Sequence, residues 1–271
     1  MKRSLAYCAG LVLALLGGVL RAQDTRPMPA NADPGFEVVT IKPADPDVHG
    51  KNFGFQGRRF MAQNYNVDDI IALAYGLHFK QIVGPAWMSA TLYDIDGVPD
   101  TEGIPNQRQK NLMMQKLLAE RFKLSFHHEK RDQPVYAITV AKGGPKLTPS
   151  ASAPDAPSNF RLEGQLRGVS VTNMTLAEFA IWFQKVVMDK PVIDRSGLSA
   201  KYDFSLMWSP DESQFIPLRG TGARAGRWPD DAKAPPDLYG AFQEQLGLKL
   251  EPVKALADVM VVDHIDQPSP N

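Results

Sequence analysis

Few residues of this 271-residue chain are spaced for chemistry. His127-His128-Glu129 begins like the helical His-Glu-x-x-His motif of zinc peptidases, but Asp132 stands where the second histidine belongs. The segment reads as a strand, where adjacent side chains point to opposite faces, so His127 and His128 cannot chelate one ion. The remaining histidines are His49, His78 and His264, and no pair has i, i+4 spacing. Asp194-Arg195-Ser196-Gly197-Leu198 contains an Asp/Ser pair, but without a plausible base. Its residue types suit a turn, in which Asp and Ser bond nearby backbone and Gly takes positive φ. There is no Gly-x-Ser-x-Gly elbow, no serine three residues before a lysine and no P-loop. The carboxylate pairs Asp68-Asp69 and Asp230-Asp231 fall at helix starts or in loops, where the helix dipole or solvent explains them. Trp87, Trp182 and Trp208 suit a core, whereas Trp228, beside Arg227 in a long loop, reads as exposed and able to anchor a partner. No catalytic, cofactor-binding or metal-binding residue is assigned.

The elements that would position such residues form a pattern that appears twice. Residues 64–71, followed by Tyr93-Asp94-Ile95, return as 173–180, followed by Tyr202-Asp203-Phe204, at an offset of 109. Residues 120–124 and 135–138 return as 244–248 and 259–262 at an offset of 124. Element order and hydrophobic register carry the repeat, since identity between the copies is low.

In the first copy, 36–41 reads as a strand ended by Pro43, 48–56 as a Gly-rich turn and 59–63 as a short strand. Asn66 caps a helix with Val67, Ile70, Ile71 and Ala74 on one face, closed by Gly76. A strand over 91–98 and a helix over 106–121 follow, the latter stacking Met114, Leu118 and Phe122. Residues 124–128 and 135–140 are predicted to pair as a hairpin around 129–134.

The second copy repeats this order, with strands at 161–166 and 169–172. Thr175-Leu176-Ala177-Glu178 forms a capping box, and Leu176, Phe179, Ala180, Phe183 and Val187 form a buried face. A strand at 202–208, a helix over 237–246 ended by Gly247, and strands at 248–253 and 259–264 complete it. The expected fold is α+β: two tandem units of mixed strands with two helices each. They span 36–142 and 159–268, joined by a Pro/Ser/Ala-rich linker at 143–158. The second carries a long loop at 210–236, expected to be disordered.

Residues 1–22 read as a secretory signal: basic Met1-Lys2-Arg3, an uncharged apolar run over 5–20, and Ala22 at the cleavage point. A polar spacer, 23–35, follows. The single cysteine, Cys8, lies inside the apolar run, so a mature chain has none. That excludes disulfides, thiol nucleophiles and cysteine metal sites. Loss of Lys2, Arg3 and Arg21 from 30 basic residues leaves 27 against 30 acidic, a net −3. Such a balance argues against a nucleic-acid partner. Only 106–131 is locally basic, with seven Lys/Arg against Glu120 and Glu129. No other segment is long and apolar enough to span a bilayer. The expected location is periplasmic or extracellular. The expected partner is an envelope protein or a small ligand, with no cofactor.

Three stretches carry a resemblance. They are Phe36-Glu37-Val38-Val39-Thr40-Ile41-Lys42-Pro43, then Pro191-Val192-Ile193-Asp194-Arg195-Ser196-Gly197-Leu198 with Tyr202-Asp203-Phe204, and then residues 244–252 with Val261-Val262-Asp263-His264 and Pro268. In order, they resemble the exported, uncharacterised protein family expanded in soil acidobacteria. The resemblance implies that a related domain is appended to BlaR1-type membrane sensors; it implies no catalytic residues. This chain lacks the zinc-peptidase helices and membrane bundle of those fusions. Its layout is also similar to the short N-terminal domains of secretins and TonB-dependent transporters, an analogy of fold alone. The expected function is a non-enzymatic interaction or ligand-sensing module of the envelope. The alternative is a hydrolase with an unrecognised active site built around Asp194.

Overall fold

The computed structural model describes residues 26–153, 155–218, 225, 226, 228 and 233–268. The expected signal segment, the start of the spacer, Asp230-Asp231 and part of the 210–236 loop lie outside these residues. The first unit runs β1 (Phe36–Pro43), β2 (Asn52–Gln56), β3 (Arg59–Asn66), α1 (Val67–Tyr75), a 3-10 turn (Phe79–Gln81), β4 (Ile82–Val83), α2 (Trp87–Ala90), β5 (Leu92–Pro99), α3 (Gln107–Arg121) and β6 (Ser125–Val140). The second runs β7 (Thr148–Pro149), β8 (Asn159–Glu163), β9 (Gly168–Met174), α4 (Leu176–Val186), β10 (Val192–Asp194), β11 (Tyr202–Met207), a 3-10 turn (Ile216–Leu218), α5 (Leu238–Ala241), which continues as one π turn (Phe242–Leu246), and β12 (Leu248–His264). The architecture is α+β, as expected.

Among the described residues three four-stranded sheets form, ordered β1-β5-β3-β2, β7-β11-β9-β8 and β10-β6-β12-β4. The first two share one layout and one device. Asn64 and Asn173 sit at positive φ, 58° and 54°, a conformation Asn tolerates better than most residues. The Asn64 amide donates to Asp94 Oδ1 at 3.1 Å, and the Asn173 amide to Asp203 Oδ1 at 2.8 Å. Each side-chain amide then donates to two carbonyls of the preceding loop, Val48 and Gly50 in one unit and Ala153 and Ala156 in the other. The clamp turns the strand into the helix that follows it.

The helix caps match the sequence reading. Asn66 Oδ1 accepts the Asp69 amide at 2.8 Å, and Gly76 closes α1 at φ 71°. In α4 the Glu178 amide donates to Thr175 Oγ1 at 3.1 Å, while Glu178 Oε2 accepts the Thr175 amide at 2.8 Å. Leu176, Phe179, Ala180, Phe183 and Val187 are all buried.

The expected hairpin over 124–140 does not form, and the two strands expected at 248–253 and 259–264 are one. Residues 125–140 are one strand of 16 residues and 248–264 one of 17, and these pair antiparallel along the length of β6, with Asp132 opposite Leu256 at the middle. The polar stretch 129–134 has turn composition, but it needs no turn because β12 supplies its hydrogen-bond partners. Pro134 is tolerated because the neighbour on the other side, β10, pairs only with residues 136–138. Residues 52–56, read as part of a turn, pair with β3 as β2. Within the stretch 143–158, β7 pairs with β11, and the Lys146 amide donates to the Leu246 carbonyl at 2.8 Å.

Two main cores result, and the long strands serve both. Phe126, Met260 and Val262 pack with Ile70, Ile71, Leu118 and Phe122 of the first unit. Tyr136, Ile138, Leu248 and Leu250 pack with Phe179, Phe183, Trp208 and Phe242 of the second. Each core is therefore completed by a strand that begins in the other unit.

Candidate functional site

The candidate chemical residues of the sequence are engaged in structural contacts. Asp194 Oδ1 accepts the Ser196 amide at 2.9 Å, Ser196 Oγ accepts the Leu198 amide at 3.1 Å, and Gly197 has φ 72°: the pair builds a turn. His127 lies exposed on β6 with Asp263 2.7 Å from Nδ1 and Glu129 3.1 Å from Nε2. The Glu129 and Asp263 contacts hold this imidazole charged more readily than usual. The two carboxylates flank opposite ring nitrogens, so they do not converge on one ion, and no metal-binding group is present among the described residues. Three members of the basic stretch are paired at the surface: Lys116 with Asp33, Lys130 with Asp258 and Arg131 with Glu129. Trp182 and Trp208 are buried. Trp228 is half-buried rather than exposed; its Nε1 donates to the Trp208 carbonyl, and Arg167 lies over its ring at 4.4 Å. Asp69 pairs with Lys51 at 2.6 Å. Asp68 is half-buried, and burial together with the Asp69 charge pushes its carboxyl up to about 6.

A different group of side chains converges where the turns after α1 and α4 meet. His78, in the first turn, is 1% exposed. Its Nδ1 accepts the Lys80 amide at 3.1 Å, so Nε2 carries the proton and donates to the Met188 carbonyl at 3.3 Å. Burial lowers this imidazole to about 4, keeping it neutral. Gln184 of α4 donates to the Gly76 carbonyl, and Gln81 donates to the Asp258 carbonyl. The seam between the units is thus buried, polar and hydrogen-bonded.

Beside it, the second turn presents Asp189 and Lys190 to two tyrosines. The Tyr239 hydroxyl donates to Tyr136 Oη at 3.3 Å, which donates to Asp189 Oδ1 at 3.2 Å. Lys190 Nζ donates to Asp189 Oδ2 at 2.6 Å, with its ammonium 5.1 Å from the Tyr136 ring centroid. Burial opposes the Asp189 charge, but Lys190, Tyr136 and Lys80 together hold that carboxyl below its usual range. Burial raises both phenols above theirs, and the hydrogen bond to Tyr136 raises Tyr239 further. The tyrosines are therefore neutral at physiological pH. They donate and accept hydrogen bonds.

The first unit serves as an internal control. At the offset of 124, Tyr239 corresponds to Gln115 and Tyr136 to Met260. Gln115 donates to the Ala74 carbonyl at 2.9 Å, and Met260 is wholly buried in the core. The same scaffold position is closed with backbone and methyl groups there, so the fold does not require the polar chain seen in the second unit. Reading the residues one motif at a time misses these tyrosines, because neither belongs to a known pattern. The signal that marks them is the difference between matching positions of the two units, a phenol where the first unit has Gln or Met.

No curated protein and no solved structure matches this chain. The family model described as a protein of unknown function, DUF3738, matches residues 68–265, which runs from α1 to the end of β12 and takes in the long strands and the polar junction. The chain belongs to that family.

Proposed function

We propose that this chain is an exported, non-enzymatic binding module of the cell envelope that meets a ligand at the Tyr136–Tyr239 junction. One observation supports the reading: the candidate reactive groups of the junction and of the Asp194 turn are already engaged. The phenols stay protonated, Asp189 is paired, His78 is neutral and sealed, and Asp194 with Ser196 is occupied in a turn. The charged start, apolar run and small residue of 1–22 support export, and the resemblance to domains appended to membrane sensors supports a sensing role. The test is a hydrolase screen on residues 23–271 with ester, peptide and glycoside substrates. The expected result is no turnover. Turnover abolished by Asp194→Ala, with the circular dichroism of the folded protein retained, overturns the reading in favour of a hydrolase.

A further inference from the structure

We infer that the protein is a two-fold dimer in which the edge strand β2 of the first sheet pairs antiparallel with the β2 of a second copy, centred on Gly54. This edge shares no residue with the Tyr136–Tyr239 junction. β2 lies at the end of the order β1-β5-β3-β2 and has one neighbour, β3. The alternation of hydrogen bonds fixes which of its groups are open. The Ala44 amide donates to the Leu92 carbonyl at 2.9 Å, one step beyond the Pro43–Tyr93 pair, so the even residues of β5 bond to β1 and the odd ones to β3. Ile95 and Gly97 therefore bond Ala62 and Phe60, which turns Arg59, Met61 and Gln63 toward Gln56, Gly54 and Asn52. The amides and carbonyls of Phe53 and Phe55 point away from the sheet, and among the described residues no group bonds to them.

Natural sheets blunt such edges with brevity, proline, charge or cover. The other edge strands use these devices. β4 and β7 are two residues long, β7 ending in Pro149, and β10 is three. The Val39 carbonyl of β1 accepts Arg121. β8, which holds in the second sheet the place of β2, carries the Arg161–Glu163 pair, and its Phe160 amide donates to Asn159 Oδ1 at 3.0 Å. β2, Asn52-Phe53-Gly54-Phe55-Gln56, has none of them.

The strand reads nearly the same in both directions, so its best complement is itself. Around a two-fold axis at Gly54, Phe53 faces Phe55 of the second copy and Asn52 faces Gln56. Each Phe53–Phe55 pair exchanges two backbone bonds. The rings extend the cluster that Phe53, Phe55 and Phe36 form on Phe60, and side-chain amide meets side-chain amide. The same register on β8 would set Arg161 against itself, and like charges directly opposite repel. Gly54 points the same way. It is not in the left-handed region, and a Cβ there would meet nothing within 4 Å. Neither a turn nor packing within one chain calls for glycine, which weakens a strand interior; the close approach of another backbone does. The contact is isologous and closes at two copies.

The experiment uses residues 23–271, which contain no cysteine. Sedimentation equilibrium should show a dimer. Gly54→Lys has room for its side chain but sets two ammonium groups against each other at the axis, and should weaken the dimer at least tenfold. Gly54→Cys should crosslink to its own counterpart on mild oxidation, because a non-hydrogen-bonded antiparallel pair brings its Cα atoms to about 4.5 Å, within disulfide reach. Asn52→Cys, which faces Gln56 of the second copy, should not crosslink. Thermal unfolding checks that each variant remains folded. A monomer at every concentration overturns the inference and leaves the edge to a strand of another protein. A dimer indifferent to Gly54→Lys, or one that crosslinks through Asn52→Cys and not through Gly54→Cys, overturns the pairing through β2.

Discussion

The ends of α1 and α4 are the same construction finished in two ways. Both helices leave a strand through an asparagine clamp, both stop at a turn over a long strand, and both turns feed a short parallel strand onto it. After α1, the neighbouring positions close the structure: Gln115 caps the Ala74 carbonyl and Met260 fills the core. After α4, Tyr136, Asp189, Lys190 and Tyr239 form a hydrogen-bonded chain that reaches the surface. What the units share is what the fold demands, and what they do not share is available for function. The helix starts differ in the same way. Thr175 and Glu178 satisfy each other in α4, whereas in α1 Asp69 turns to Lys51 and leaves Asp68 half-buried beside it.

The largest expected effect comes from dividing the units. Because each core contains residues of both long strands, chains 23–142 and 143–271 should each lack cooperative unfolding alone and regain it when mixed in equal amounts, as followed by circular dichroism. Cooperative unfolding of either piece by itself breaks the picture of exchanged strands.

His78 tests the seam. Its imidazole is held near 4 when folded against 6.5 when unfolded, so the unfolded chain binds more protons between these values. Stability should fall as pH drops from 6.5 toward 4, by about 3 kcal/mol at one pKa unit per 1.4 kcal/mol. Urea melts across this range should show the slope, and His78→Asn should flatten it. An unchanged slope in that variant assigns the effect elsewhere.

The two clamps test the equivalence. Asn64→Ala and Asn173→Ala each force alanine into the left-handed region and abandon two carbonyls, for a combined loss of about 2–4 kcal/mol. Similar losses in both units sharpen the comparison, and a loss confined to one breaks it.

The smallest effects are at the helix starts. Thr175→Ala should cost about 1 kcal/mol through loss of its cap oxygen. Asp68→Asn should instead stabilise slightly at pH 7. The raised folded value means that the wild-type carboxyl is penalised as pH rises from 3.8 through about 6, so the gain should vanish below pH 3.8. Destabilisation at pH 7 refutes a strained carboxylate.

What the sequence alone determined is local. The caps at Asn66 and Thr175, the stop at Gly76, the buried face of α4 and the Asp194–Gly197 turn are legible because their partners lie within a few residues, where hydrogen-bond spacing and helical period decide the outcome. Only the tertiary structure decided that 125–140 and 248–264 are unbroken strands. Each draws its ladder from a partner more than a hundred residues away, and no local pattern distinguishes a polar strand centre from a turn. The junction has the same origin. Tyr239 and Tyr136 are 103 residues apart and meet only because the long strand of the first unit crosses into the core of the second, bringing a phenol from one unit to a helix, a carboxylate and an ammonium of the other.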